Sequence, residues 1–125
     1  MPTIMVVEDN EPSRDALCRR LARRGYQVIP AVDGEEAVEM ARERLPDLIL
    51  MDLGLPGIDG WEATRRLKAG DDTRHIPLIV LSAHAMSNDR DMALAAGGDD
   101  FDSKPVRFEQ LMTKIEVLLT RGTAS

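Results

Sequence analysis

The sequence predicts an α/β fold, a doubly wound five-stranded parallel sheet with helices on both faces. Short apolar runs alternate with helix-favouring stretches along the chain. Such alternation is typical of successive βα units. The runs at residues 48–51 and 78–81 are apolar at every position, as in parallel strands that are buried on both faces. We therefore expect these two strands at the centre of the sheet.

Five βα units are expected in chain order. The first combines a strand at residues 4–7 with a helix at 12–24, which Asn10 would cap and Gly25 would end. In the last helix, apolar residues recur at the spacing of one buried face. The other predicted elements are a strand near 27–29, a helix at about 35–44, a strand at 48–51, a helix at about 61–69, a strand at 78–81, a helix around 89–96, a weaker edge strand near Phe101 and the final helix at 108–119.

Length and composition favour one ordinary globular domain. The chain has 125 residues, of which 43% are hydrophobic and 30% charged. We expect a single domain over residues 1–125, with 121–125 as a loose tail. Apolar runs are far shorter than the ~20 residues of a membrane span, and the first residues do not resemble a secretory signal, so we expect no membrane association and a cytoplasmic location. The net charge of −6 argues against direct nucleic-acid binding.

Polar residues collect just past the predicted strands. Glu8 and Asp9 follow the first strand, Asp52 the third, Ser82 the fourth and Lys104 the fifth. Taken singly, such residues are usually turns, caps or solvated side chains. Open α/β sheets, however, bind ligands beyond the carboxyl ends of their strands. The coincidence at one edge of the sheet therefore favours a functional site.

Three carboxylates in one crevice favour a bound cation, because like charges within about 6 Å resist joint ionisation. The candidate ligands are all oxygens, which favours Mg²⁺, with Mn²⁺ as a substitute. Asp52, alone at the end of a buried strand, is the best nucleophile toward a phosphoryl group. Lys104 and Ser82 are suited to bind the phosphoryl oxygens.

These residues lie in four longer motifs, which are Val6-Val7-Glu8-Asp9-Asn10, Leu50-Met51-Asp52-Leu53-Gly54-Leu55-Pro56-Gly57-Ile58-Asp59-Gly60-Trp61, Leu81-Ser82-Ala83-His84 and Asp99-Asp100-Phe101-Asp102-Ser103-Lys104-Pro105. Together, these motifs resemble those of the response regulator receiver domain. The resemblance covers nearly the whole chain and implies a flavodoxin-like (βα)5 sheet with strand order 2-1-3-4-5.

The resemblance implies a phosphorylation switch in a two-component phosphorelay rather than an enzyme with an external substrate. Asp52 would accept a phosphoryl group from a histidine kinase or a histidine phosphotransfer protein. Asp9, Asp52 and the carbonyl of Gly54 would bind Mg²⁺, with Glu8 acting largely through water. At most, the domain would catalyse its own phosphotransfer and dephosphorylation.

The resemblance also implies how the signal leaves the site. Ser82 and Lys104 would contact the phosphoryl oxygens, and the bond from Lys104 to Pro105 would be a cis peptide. A shift of Ser82 coupled to rotation of Phe101 would form the conformational switch. Since we find no output domain in the sequence, the effect would pass to a downstream protein target.

Three positions depart from the commonest family pattern. Glu8 replaces an aspartate but keeps its charge, and Gly54 leaves more room for a water to attack the phosphoryl group. Asp102 adds a carboxylate to the last strand. This carboxylate would add repulsion between negative charges if it faces the crevice, or would mark a partner surface if it faces outward.

Three other functions stay open from the sequence. A degenerate receiver would act as a phosphorylation-independent scaffold. A metal-dependent aspartyl-phosphate phosphohydrolase would need a second acid two residues after the nucleophile, where Gly54 stands. A flavin-binding module would meet repulsion between its phosphate and the Glu8–Asp9 pair.

Overall fold

The computed structural model describes residues 2–55, 57–82, 91–92 and 94–124, with side chains as far as residue 120. The strands are β1 (Thr3–Val7), β2 (Gln27–Ala31), β3 (Leu48–Asp52), β4 (Leu78–Ser82) and β5 (Asp100–Ser103). The helices are α1 (Glu11–Arg23), α2 (Gly34–Arg44), α3 (Gly60–Ala69) and α4 (Phe108–Ala124). None of the helices in the described ranges combines the length and apolar character that a bilayer crossing requires.

The five strands form one parallel sheet in the order β2-β1-β3-β4-β5. This confirms the predicted fold class and strand order. Residues 91–92 and 94–95 are helical, while the rest of the predicted helix at 89–96 lies partly outside the described residues. The motif positions Pro56, Ala83 and His84 lie outside them as well.

Two hydrophobic layers cover the sheet, and β3 contributes to both. Ile49 and Met51 pack in the layer that contains buried residues of α2 and α3. Leu48 and Leu50 pack in the layer that contains buried residues of α1 and α4. Every residue of β3 and β4 is buried, so the prediction that these two strands are central is confirmed. Because alternate side chains face opposite layers, helices are needed on both faces.

Asparagine and aspartate caps begin three of the helices close to the carboxyl edge of the sheet. The side chain of Asn10 accepts a hydrogen bond from the backbone N–H of Ser13 at 3.0 Å. Asp33 and Asp59 make the same kind of contact three residues downstream at the starts of α2 and α3. Each cap satisfies a backbone donor that has no partner within the helix. The chain therefore turns from strand to helix within a few residues of the strand ends.

Most elements differ from the predicted bounds by one or two residues, and the last helix differs by five. β3 and β4 each extend one residue further than predicted, to Asp52 and Ser82, where Asp52 pairs with Leu81. α4 is helical as far as Ala124, beyond the predicted end at residue 119. A helix that has already formed gains a backbone hydrogen bond with each added residue. The segment after residue 119 contains no proline to interrupt it.

Gly60 allows α3 to begin directly against the end of β3. A β-carbon added at this position would lie 2.5 Å from the carbonyl oxygen of Asp52 and 2.8 Å from the Cα of Leu53. Both neighbours are backbone atoms, which cannot move aside as the end of a flexible side chain can. The absence of a side chain at Gly60 therefore lets the helix pack closely against the residue that ends β3.

We predict that Gly60→Ala lowers the free energy of unfolding. Overpacking of this kind costs about 1–3 kcal/mol, which exceeds the ~1 kcal/mol that alanine gains over glycine within a helix. Urea denaturation of the variant and the wild type measures the difference. Gly54→Ala is the matched control, because a β-carbon there meets its nearest atom, Asp52 Oδ2, at 3.9 Å. Equal stability of the two variants would show that the close approach at Gly60 is not needed.

Candidate functional site

The side chains of Glu8, Asp9 and Asp52 meet at the carboxyl edge of the sheet. β1 and β3 are parallel neighbours with Val7 opposite Met51, so the residues that follow these two positions lie side by side. Each of the three carboxylates offers an oxygen, and the three oxygens lie within 4.8 Å of one another. Glu8 and Asp52 are buried, whereas Asp9 is exposed. The structure thus brings together three of the predicted metal ligands.

Lys104 reaches the same group of carboxylates from the end of β5. Its Nζ donates to Glu8 Oε2 at 2.5 Å and lies 3.1 Å from Asp52 Oδ1. Its backbone N–H donates to the carbonyl oxygen of Ser82 at 2.8 Å, and the bond from Lys104 to Pro105 is cis, as the resemblance implies. The ammonium therefore bridges two of the three carboxylates.

Burial and charge shift the pKa values of both members of this ion pair. Burial raises the pKa of the Glu8 carboxyl, and the charge of Asp52 adds to the rise, while the hydrogen bond from Lys104 opposes it. Burial by itself lowers the pKa of Lys104, but its hydrogen bonds and attraction to Glu8 and Asp52 outweigh that effect, so the pKa lies above its usual value. Lys104 is therefore charged at neutral pH.

The charge balance of the pocket fits a divalent cation. Three carboxylates face one ammonium, which leaves a formal excess of two negative charges when all are ionised. The donors are oxygens, as Mg²⁺ prefers. A divalent ion held by Asp9, Asp52 and Glu8 would neutralise the excess. The residues present therefore fit the predicted magnesium site.

Backbone and side-chain contacts hold the two buried carboxylates in place. The N–H of Gly54 donates to Asp52 Oδ1 at 3.3 Å, and the N–H of Asn10 donates to Glu8 Oε1 at 3.1 Å. Arg14, in the first turns of α1, donates from Nη1 to the carbonyl oxygen of Glu8 at 2.9 Å. Sequence reasoning missed Arg14, because an arginine early in a helix usually points to solvent. The role of the Gly54 carbonyl as a metal ligand stays a prediction.

Ser82 and Phe101 lie on the neighbouring strands β4 and β5. Ser82 is buried at the end of β4 and pairs in register with Ser103, so it lies at the same edge as Asp52. Phe101 pairs with Val80 and is buried in the layer that contains α2 and α3. The structure thus places Ser82 at the edge of the sheet that carries the carboxylates, and Phe101 in the core layer of α2 and α3. Their coupling as a switch stays a prediction.

Asp102 faces neither the crevice nor the solvent, so neither of the two predicted orientations is correct. It pairs with Leu81 in register and is 5% exposed. Its side chain lies under α4, where it accepts a hydrogen bond from Gln110. Successive side chains of a strand point to opposite faces. With Phe101 in the α2 and α3 layer, Asp102 must enter the layer that α1 and α4 cover.

Curated relatives match nearly all of this chain. AfsQ1, a transcriptional regulatory protein of Streptomyces coelicolor, is 39% identical over 122 residues, which are 98% of this chain and 53% of that protein. The polar-differentiation response regulator DivK of Brucella anthropi is 38% identical over 94% of this chain and 95% of its own. The chain thus spans about half the length of AfsQ1 and almost all of DivK.

Solved structures match the fold and the sequence together. A putative response regulator from Chloroflexus aurantiacus superposes with a TM-score of 0.91, at 29% identity, covering 95% of this chain and 98% of that chain. The receiver domain of the sensor histidine kinase PA1611 from Pseudomonas aeruginosa superposes with a TM-score of 0.83, at 35% identity, covering 99% and 98%. That structure is described with a magnesium ion coordinated in its active-site cleft.

The family match covers the same elements that build the site. Residues 4–116 match the response regulator receiver domain, from the first buried residue of β1 into the last helix. Its span includes Glu8, Asp9, Asp52 and Lys104, which carry the three carboxylates and the ammonium. Because this match covers most of the chain and DivK is similar over nearly its whole length, the chain belongs to the response regulator receiver domain family of two-component signalling.

Proposed function

We propose that Asp52 is the phosphoacceptor of this receiver and takes its phosphoryl group from a phosphohistidine on a histidine kinase or a histidine phosphotransfer protein. The observation that carries the proposal is the position of the Asp52 carboxylate. It lies within 4.8 Å of oxygens of Glu8 and Asp9 and 3.1 Å from the Lys104 ammonium. A carboxylate between metal ligands and a cation is suited to attack a phosphoryl group whose negative charge must be neutralised.

The transfer follows from the chemistry of these side chains. An oxygen of Asp52 forms a bond to phosphorus, the bond between phosphorus and the donor imidazole nitrogen breaks, and the imidazole keeps the electron pair. Lys104 would exchange its contact with the carboxylates for one with a phosphoryl oxygen, and Ser82 would bind another. Mg²⁺, when bound by Asp9, Asp52, the Gly54 carbonyl and Glu8, would supply positive charge for the transferring group.

The signal would reach a downstream protein through the strands beside Asp52. Ser82 lies at the same edge on β4, and Phe101 is buried on β5. Movement of Ser82 toward the phosphoryl group would open space for the ring of Phe101. Since phenylalanine has no hydroxyl group, this readout would act through shape and burial. The domain then works as a switch rather than as an enzyme with an external substrate.

The alternatives receive less support from the site. A phosphohydrolase of the aspartyl-phosphate type needs a second acid two residues after the nucleophile, and Gly54 stands there. A scaffold that works without phosphorylation has no use for the contacts that place Lys104 between Glu8 and Asp52. The phosphoacceptor function accounts for both observations.

We predict that acetyl phosphate with Mg²⁺ adds one phosphoryl group to the protein and that Asp52→Asn abolishes the addition. The amide of the variant is a poor nucleophile, although its shape is nearly the same. Intact-mass spectrometry measures the adduct, which should survive acid and be lost in base. Asp47→Asn is the matched control, since Asp47 lies just before the same strand at its opposite end. Phosphorylation that persists in Asp52→Asn would contradict the assignment.

We predict that Lys104→Met increases the stabilisation that Mg²⁺ confers. Without the ammonium, Glu8, Asp9 and Asp52 lack their positive partner, so a cation gains more by binding. At saturating metal, an affinity increase of about tenfold adds about 1.4 kcal/mol to the free energy of unfolding. Each kcal/mol raises the unfolding midpoint by roughly 4 °C. Thermal unfolding with Mg²⁺ and with a chelator gives the comparison.

Lys68→Met is the control for this experiment. Lys68 is a lysine of comparable burial whose Nζ pairs with Asp99 at 2.8 Å, away from the pocket. Its loss lowers stability, but the shift produced by Mg²⁺ should equal that of the wild type. A shift in Lys104→Met no larger than in Lys68→Met would show that Lys104 does not compete with the metal.

A further inference from the structure

Asp102 is a buried carboxylate in a layer that is otherwise mostly apolar. Its partner in register, Leu81, packs there with Leu111 and Ile115 of α4. The residue is 5% exposed, and its Oδ2 has no hydrogen-bond partner among the described residues. A buried oxygen without a partner costs free energy, about 1–3 kcal/mol in measured cases. An apolar residue at this position would avoid that cost.

The other oxygen of Asp102 connects the end of β5 to α4. Oδ1 accepts hydrogen bonds from the backbone N–H of Ser103 at 2.9 Å and from Nε2 of Gln110 at 3.2 Å. The ammonium of Lys114 lies 3.8 Å from the same oxygen. Both Gln110 and Lys114 belong to α4, so one carboxylate oxygen contacts a strand and two successive turns of a helix.

Lys114 makes a second contact with the same strand. Its Nζ donates to the carbonyl oxygen of Phe101 at 2.5 Å. Side chains of α4 thus hold the Phe101 backbone directly, and Gln110 holds Ser103 through the carboxylate of Asp102. Lys104 is the next residue along the chain, and its ammonium enters the phosphoacceptor pocket. The contacts therefore fix the short segment from which Lys104 extends.

We infer that Asp102 is a positioning residue, which holds the end of β5 against α4 so that Lys104 reaches Asp52 and the phosphoryl group. The inference rests on the proposed function of Asp52 and adds a residue to it. Asp102 itself contacts neither Asp52 nor the metal ligands in the described structure. Its effect passes through the backbone of Ser103 to Lys104, and small errors in the placement of a charged group are costly in transfer reactions.

A positioning role and a purely structural role predict different behaviour for Asp102→Leu. Leucine removes the unpartnered oxygen and suits the apolar layer, so the free energy of unfolding should stay the same or rise. The bonds to Ser103 and Gln110 are lost, and the rate of phosphorylation by acetyl phosphate at saturating Mg²⁺ should fall about tenfold. The Mg²⁺ affinity should not fall, because Glu8, Asp9 and Asp52 stay in place and a displaced Lys104 competes less with the cation.

Two further variants complete the test. Asp102→Asn keeps an oxygen that accepts from Ser103 and Gln110, so its rate should return to about that of the wild type. Asp100→Asn is the matched control, because Asp100 is the neighbouring carboxylate on the same strand, with Oδ1 3.9 Å from Lys114, but without a contact to Gln110 among the described residues. Its rate should be unchanged.

The inference is overturned if Asp102→Leu folds and is phosphorylated as fast as the wild type, or if its rate falls only in proportion to lost stability. If Asp102→Leu does not fold, Lys114→Met decides. That variant removes the contact with Phe101, and it should slow phosphorylation without lowering the Mg²⁺ affinity. An unchanged rate would then refute the inference. A wild-type protein that takes up no phosphoryl group would instead refute the proposed role of Asp52.

Discussion

The parallel pairing of β1 with β3 at the centre of the sheet is the constraint on which the rest of this domain depends. It places Val7 opposite Met51, so the acidic residues after β1 and the aspartate that ends β3 must share one edge. Burial on both faces holds the register, since a slip by one residue would exchange the side chains of the two layers. The carboxylates are thus forced together by hydrophobic packing, not by attraction to one another.

The three carboxylates repel one another when ionised, and the single positive charge of Lys104 offsets only part of their negative charge. One ammonium lies between Glu8 and Asp52, while Asp9 stays exposed at the mouth of the pocket. Burial and, to a lesser extent, repulsion from Asp52 raise the pKa of Glu8, whereas attraction to Glu8 and Asp52 raises the pKa of Lys104. The pocket therefore has an affinity for further positive charge and a cation ready to contact an incoming anionic group. These are the two properties that aspartyl phosphorylation requires.

The outer strand of the site is held in a different way from the centre. β3 and β4 are fixed by apolar packing on both sides, but β5 is an edge strand, with β4 as its one neighbour among the described residues. Hydrogen bonds from Gln110 and Lys114 of α4 reach Asp102 and the carbonyl of Phe101. Polar contacts are directional and can be exchanged singly, whereas a packed core resists small displacements. The position of β5, which leads to Lys104, therefore depends on specific side chains of α4 as well as on packing.

The sequence alone determined the order of strands and helices and which polar residues end the strands, because hydrophobic periodicity and capping residues act over a few neighbours. It also placed Glu8, Asp9, Asp52, Ser82 and Lys104 at one edge, since parallel strands share a direction. The tertiary structure decided which of these side chains touch, that Arg14 holds the Glu8 carbonyl, that Asp102 points under α4 and how far α4 extends. Some of these contacts join residues far apart in the chain, as Lys104 and Glu8 do, and others join a strand end to a neighbouring helix. They depend on how the helices pack on the sheet, and a local pattern of residues does not encode this packing.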